Sequence, residues 1–507
     1  MVRNELLKIK TFGQLKASGY KSRPIKDELR ENLICRLKAG SRLFDGILGY
    51  DDSVVPDLER AILSRHNIIL LGLRGQAKTK IARLMIDFLD ELIPVVAGSE
   101  INDDPFQPVS KFARDLVSEA GDDTPIEWLH RNERYTEKLA TPDVSIADII
   151  GDVDPIKAAT LKLPYSDERV IHYGLIPHSH RSIFVINELP DLQARIQVAL
   201  FNILQERDIQ IRGFKIRLPL DIQFVFTANP EDYTNRGSIV TPLKDRIESQ
   251  ILTHYPKTMD VAKAITRQEI RTDKSIFETV RIPELAQSLI EQIAFEARKS
   301  EYIDAKSGVS ARLPITAYES LASAAERRLY IHEEEKTVAR ISDFDGIIPA
   351  ITGKVELVYE GEQEGPAKVA RYLIGKSIRS VFVEYFPNPE KFKKTPEKSP
   401  YYSIAEWFRK GNALDILNDI SNDEYEKTLY LVPNLAALVE TYVPKLSKEE
   451  KLSFMEFALH GLAEYSILSK QVIESGLHFE DLLSSMLSSD EDDDVDDLPR
   501  SDYHRQA

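Results

Sequence analysis

Lys78 and Thr79 stand where a chain of this pattern can bind phosphate. Four apolar residues, Ile68-Ile69-Leu70-Leu71, read as a buried strand. A short loop, Gly72-Leu73-Arg74-Gly75-Gln76-Ala77, leads into a helical pattern with apolar positions at Ile81, Ala82, Leu84, Met85, Phe88 and Leu89. Peptide N–H groups of such a loop and of the helix start face an anion. The Lys78 ammonium reaches the outer phosphates, and the Thr79 hydroxyl ligates Mg²⁺. Gly72, Gly75, Gln76, Ala77, Lys78, Thr79 and Lys80 are therefore the candidate binding set, with ATP and Mg²⁺ as the expected ligands. The full pattern G-x-x-x-x-G-K-[ST] places glycine where Ala77 stands, and alanine is expected to fit there at ordinary helical angles. The alternative is a plain strand-turn-helix with a solvated lysine.

A second apolar run, Ser182-Ile183-Phe184-Val185-Ile186, ends at Asn187-Glu188. A carboxylate pair at such a strand end holds Mg²⁺ and polarises the attacking water. Here Glu188 is in place as the water-activating group, while Asn187 stands at the metal position and lacks the charge. That loss is expected to weaken metal binding by roughly 1.5–3 kcal/mol, and Asn187→Asp is expected to lower the Mg²⁺ requirement. A third run, Ile222 to Phe226, leads to Thr227-Ala228-Asn229-Pro230. Asn229 is a candidate for orienting water at the carboxyl edge of a sheet, or else a turn former before proline. Arg246, after Leu243-Lys244-Asp245, is a candidate contact to a neighbouring copy's nucleotide, or else an ion-pair partner of Asp245. Arg312, in Gly308-Val309-Ser310-Ala311-Arg312, opens a helical pattern with Ser310 as a cap. A cation there opposes the helix dipole, which suits an anionic partner. Leu48 and Gly49, in Gly46-Ile47-Leu48-Gly49-Tyr50-Asp51, are candidates for holding an adenine ring, or else form a turn at the start of the domain.

These residues need elements to carry them. The chain has 507 residues and calls for several domains. Residues 1–45 read as an N-terminal helical segment and 46–255 as an α/β P-loop core with a parallel sheet. Residues 256–386 read as a helical lid, 387–400 as a Pro- and Lys-containing linker, 401–487 as a C-terminal helical unit and 488–507 as an acidic disordered tail. Within the core, 90–145 is a long irregular connection. Residues 146–178 read as a projecting insert, and 209–218 as a hairpin turning at Arg212-Gly213. The net charge of −16 argues against non-specific nucleic-acid binding. One cysteine, Cys35, excludes a disulfide framework within the chain. No apolar run reaches the length of a membrane span and no secretory leader is visible, so a cytoplasmic location is expected.

Taken in order, these motifs resemble the AAA+ ATPases of the MoxR and magnesium-chelatase ATPase-subunit group. Gly75-Gln76-Ala77-Lys78-Thr79 is similar to the MoxR form of the loop. The Pro-containing stretch at 104–108, Gly151-Asp152-Val153-Asp154 and His180-Arg181 resemble the chelatase subunit. The resemblance covers about residues 46–385. It implies Lys78 and Thr79 as Walker A, Glu188 as the Walker B base, Asn229 as sensor 1, Arg246 as arginine finger and Arg312 as sensor 2. It also implies a homo-oligomeric ring, often a hexamer, and a partner protein with a von Willebrand A-type domain. The activity implied is ATP hydrolysis that remodels a partner or promotes metal or cofactor insertion. Asn187 leaves open a nucleotide-binding scaffold with little turnover. An AAA+ transcriptional activator is a weaker alternative, since no Gly-Ala-Phe-Thr-Gly-Ala loop is present.

Overall fold

The computed structural model describes residues 3–165, 167–206, 208–211, 217–229, 238–273, 275–473 and 476–482. The hairpin turn Arg212-Gly213, the loop Asn235-Arg236-Gly237 and the acidic tail lie outside the described residues. The chain folds as two units, Met1–Tyr255 and Pro256–Ala507.

In the first unit the apolar runs become strands β1 (Ile68–Leu71), β3 (Ser182–Asn187) and β4 (Ile222–Ala228), each buried along its whole length. They are joined by β2 (Tyr135–Leu139) and β5 (Ser249–Leu252) in one parallel sheet of order β5-β1-β4-β3-β2. A parallel sheet is covered on both faces, which is why its inner strands read as nearly continuous apolar runs. Side chains alternate between the faces. Ile68, Leu70, Ile183, Val185 and Val225 share one cluster with Ile81, Ala82 and Met85, which belong to or directly follow helix α2 (Lys78–Leu84). Ile69, Leu71, Phe184, Ile186, Phe224 and Phe226 share another with Ile196, Leu200 and Ile203 of helix α3 (Ala194–Glu206). Each of these Val, Leu, Ile, Phe and Met side chains, fully buried, contributes about 1.5–3 kcal/mol.

Two parts of this unit differ from the reading of the sequence. Helix α1 (Ile25–Lys38) lies in the segment expected to stand apart, yet Ile25, Leu29 and Leu33 belong to the same core as β1. Its Glu28 accepts two bonds of 2.7 Å from the Arg134 guanidinium, and both side chains are almost wholly buried. The connection 90–145 is not irregular. Leu92–Val96 and Ile126–His130 pair antiparallel, Lys111–Ala120 is helical, and Tyr135–Leu139 is the edge strand β2. That strand is half-buried and carries two charges, so it lacks the apolar run that marks an inner strand. The insert is built on an antiparallel pair, Gly151–Val153 with Ile171–Tyr173. Its helix Pro155–Leu161 leaves Ile156 and Leu161 exposed. The expected hairpin is present in its described arms, with Ile209 opposite Leu218.

The second unit is mainly helical, with long helices Glu284–Ala297, α4 (Arg312–Ile331), Pro366–Tyr385 and Lys448–Glu464. A single apolar core contains Ile290, Leu321, Phe382, Phe408, Phe457 and Phe479, so residues expected in the lid and in the later unit pack together. The stretch between them forms two short 3₁₀ turns, Pro389–Phe392 and Pro396–Lys398, and the buried Tyr401 hydroxyl donates to Pro387 O. Residues 401–482 also hold a three-stranded antiparallel sheet of Leu414–Leu417, Gly476–Asp481 and Leu468–Ile473, in that order. Leu414, Ile416 and Leu417 fit a helical apolar face as well as a short strand, which is why periodicity alone reads helix there.

Candidate nucleotide site

Because the strands are parallel, their carboxyl ends share one edge, where ligands bind in open α/β sheets. Leu71 is level with Ala228 and with Leu252. Ile186 is level with Phe226, one residue before Asn187 and Thr227. This register brings the Gly72 loop, Asn187-Glu188 and Asn229 to the same edge. The Gly72 N–H donates to Ala228 O at 3.1 Å, joining the loop to the strand that carries Asn229. Asn229 itself is buried.

The loop is held from behind. Thr253, just past β5, donates its hydroxyl to Gln76 Oε1 at 2.7 Å, and both residues are buried. A Cβ on Gly72 would stand 1.9 Å from Thr253 Oγ1 and 2.2 Å from Gln76 Oε1, so only glycine fits this approach. Gly75 has φ +73°, a conformation that favours glycine. Lys78, at the first position of α2, turns its ammonium back into the loop, donating to Gly72 O and, at 3.1 Å, to Leu73 O. Thr79 and Lys80 follow in the first turn, both half-buried. These residues fit a nucleotide phosphate with Mg²⁺: a glycine-lined loop, an ammonium within it and a hydroxyl at the helix start.

Ala77 corrects the reading of the sequence. It does not take a helical conformation but has φ +58° and ψ +16°, the left-handed region. An L-residue there costs about 1–2 kcal/mol, which accounts for the glycine that the full pattern places at this position. The Ala77 side chain packs on the core beside β1.

The turn at Leu48 and Gly49 is connected to the loop through a residue the sequence did not single out. The buried Tyr50 hydroxyl lies 3.0 Å from Gln76 O and 2.7 Å from His254 O and donates to one of them at a time. Its ring meets the His254 ring edge-on. Burial pushes the Tyr50 phenol up to about 12, so it stays protonated as a donor. Leu48 and Gly49 are half-buried, and Gly49 has φ +77°.

At the end of β3, Asn187 is buried and Glu188 half-buried. Glu188 has φ +54° and ψ +50°, a strained conformation for a residue with a Cβ. Neither end of the Asn187 amide faces solvent. Nδ2 donates to Glu137 Oε1 at 2.6 Å, and Oδ1 accepts from the Thr227 hydroxyl at 3.0 Å. Glu137 and Thr227 carried no signal in the sequence, because only the register of β2, β3 and β4 brings them beside Asn187. His180-Arg181 lie before the amino end of β3, a strand length from this edge. They serve the fold: His180 Nδ1 accepts the Asp221 N–H at 3.0 Å, and Arg181 donates to Pro94 O at 2.7 Å. Burial lowers His180 to about 4, so it accepts as the neutral ring.

Arg246 follows the helix Thr241–Asp245 and does not pair with Asp245 among the described contacts. Its guanidinium donates to Gln205 Oε1 at 2.8 and 3.0 Å and to Pro242 O, and it lies over the Phe201 ring. Arg312 is exposed at the first position of α4 in the second unit; its N–H donates to Ser310 Oγ at 3.1 Å, but the N-cap is Ala311 and not the expected Ser310.

No protein-family model matches the sequence. Three of the solved structures similar to this chain illustrate the likeness. One contains subunits BchI and BchD of magnesium chelatase (18% identity, 63% of this chain and 98% of that chain, TM-score 0.32). Another is NtrX from Brucella abortus in complex with ADP (13%, 71% and 68%, TM-score 0.38). The third is RuvB from Thermotoga maritima (11%, 88% and 97%, TM-score 0.34). Likeness at this level carries no functional information. The fold rests on the sheet itself: an α/β P-loop core with a parallel five-stranded sheet, followed by a mainly helical unit. None of the helices among the described residues is long and apolar enough to cross a membrane.

Proposed function

We propose that the chain is an ATP-hydrolysing AAA+ ring ATPase of the MoxR and magnesium-chelatase type, which remodels a partner protein or promotes metal or cofactor insertion. The observation that carries this reading is the meeting of the Gly72–Thr79 loop, Asn187-Glu188 and Asn229 at one carboxyl edge of a parallel sheet. In it, the loop N–H groups and Lys78 bind the phosphates, and Thr79 holds Mg²⁺, which neutralises charge on them when bound. Glu188 takes the proton of the attacking water and Asn229 orients that water. Arg246 reaches the nucleotide of the next copy in a ring, often a hexamer, and Arg312 reads the nucleotide from the helical unit. Exposed Ile156 and Leu161 on the insert suit contact with a partner, which in this group carries a von Willebrand A-type domain.

A second reading is a nucleotide-binding scaffold with little turnover. The Asn187 amide, engaged at both ends by protein groups, favours it. Two variants separate the readings. Lys78→Ala is expected to abolish ATP binding by calorimetry, and a folded variant that binds as well as wild type refutes the phosphate site. Glu188→Gln is expected to retain ATP unhydrolysed while wild type turns over. ATP bound at background turnover in wild type and variant alike selects the scaffold.

A further inference from the structure

The polar side chains beside Glu188 form a continuous chain that the nucleotide reading leaves unused. Glu137 stands on β2, two residues before Leu139, the residue level with Asn187. Its Oε2 accepts from the Arg83 guanidinium of α2 at 3.0 Å and from the Tyr135 hydroxyl at 3.0 Å. Its Oε1 accepts from Asn187 Nδ2. An ionised carboxylate only accepts, so the asparagine nitrogen must face it, and this leaves Oδ1 for the Thr227 hydroxyl. With its proton committed to Asn187, Thr227 Oγ1 accepts the Glu188 N–H at 3.2 Å. Asn187 is 8% exposed and Thr227 1%, so breaking any link strands a buried polar group. The chain ends on the peptide of a residue in the left-handed region, which needs outside bonds to persist.

We propose that Glu137 is a positioning residue. It fixes the Asn187 amide, through it the Thr227 hydroxyl, and so the peptide that presents Glu188; it also makes asparagine, not aspartate, the residue that position 187 requires. The proposal rests on the reading of Glu188 as the water-activating group. Asn187 is then the donor that matches a carboxylate supplied by the neighbouring strand, and no longer a weakened aspartate. Aspartate at 187 would set two carboxylates at hydrogen-bond distance. They cannot both ionise there without repulsion; among the described contacts Arg83 and Tyr135 face Glu137. On this proposal Asn187→Asp is no longer expected to lower the Mg²⁺ requirement. Glu137→Gln supplies a donor amide and makes aspartate at 187 acceptable again.

The test is a cycle on the full chain: wild type, Glu137→Gln, Asn187→Asp and the double variant. Melting without nucleotide reads the pair. Asn187→Asp is expected to melt about 2–4 °C below wild type near pH 8. The deficit should vanish in the double variant. Additive losses overturn the pairing. Steady-state turnover reads the reach to Glu188. Asn187→Asp should lower kcat roughly tenfold, as contacting residues that couple do, with KM for MgATP nearly unchanged, and the double variant should return to within about threefold of wild type. An Asn187→Asp variant as fast as wild type, or a double variant no faster than it, overturns the positioning role. A wild type that binds MgATP without turnover refutes the hydrolytic reading, and with it the reach to Glu188; the melting cycle still decides the pair.

Discussion

Gly72→Ala is expected to disable the loop although the substitution adds one methyl group. Gly72 is not among the glycines with positive φ, so its backbone suits alanine and the whole effect is steric. The new Cβ would fall 1.9 Å from Thr253 Oγ1 and 2.2 Å from Gln76 Oε1, far inside contact distance. Forcing a methyl into a packed site costs about 1–3 kcal/mol. Separating the buried Thr253 and Gln76 groups adds about 1 kcal/mol. The sum, about 2–4 kcal/mol, lowers the melting temperature of a unit of this size by roughly 4–16 °C. The effect should extend to the nucleotide if the loop backbone shifts, because the Gln76 carbonyl is bonded to the Tyr50 hydroxyl beside the turn at Leu48 and Gly49. Differential scanning calorimetry with and without ATP measures both. Thr253→Ala in the Gly72→Ala background removes the nearer clash and should recover part of the loss, although Thr253→Ala alone is destabilising. A Gly72→Ala protein that melts with wild type, or a double variant whose losses simply add, refutes the account.

Three further outcomes follow from named contacts. Arg246→Ala subunits mixed with Glu188→Gln subunits should regain part of the ATPase activity, because some interfaces then hold both intact groups and an arginine finger contributes about 10³–10⁵ in rate; co-assembled rings that stay inactive at every ratio exclude a role in trans. Burial raises Glu291 to about 7, with the Thr266 hydroxyl donating to it. The native state therefore holds a proton that the unfolded chain has released, so stability falls as pH rises from about 4.5 towards 7 and stays low above it. Glu291→Gln should stabilise the second unit by up to roughly 3 kcal/mol near pH 8 and by little near pH 4.5, and a pH-independent gain in urea denaturation contradicts this. Glu28→Gln leaves the buried Arg134 guanidinium without its carboxylate and should cost about 3–5 kcal/mol; a loss near 0.5 kcal/mol, the size of a surface pair, shows that the pair is not buried in solution.

What the sequence by itself determined is what depends on near neighbours. Ile68–Leu71, Ile183–Ile186 and, broken only by Gln223, Ile222–Phe226 are apolar runs that read as inner strands, and each leads into its polar group: the Gly72 loop with Lys78, Asn187-Glu188, Asn229. Helix α2 and the long helices of the second unit are equally legible, since their period is a local property of the chain. The parallel sheet decided the rest. Whether Gly72 is mandatory depends on Thr253, far along the chain, and whether Ala77 is helical depends on how the loop closes over β1. The segment at 25–38 reads as a separate helix until Glu28 meets Arg134. Strand β2, half-buried and charged, has no apolar run to announce it, yet it places Glu137 against Asn187 and thereby changes what an asparagine at that position means. Periodicity and apolar runs are written into consecutive residues. Which strand lies beside which, and at what register, is set by long-range packing, and register alone decides which buried polar groups meet.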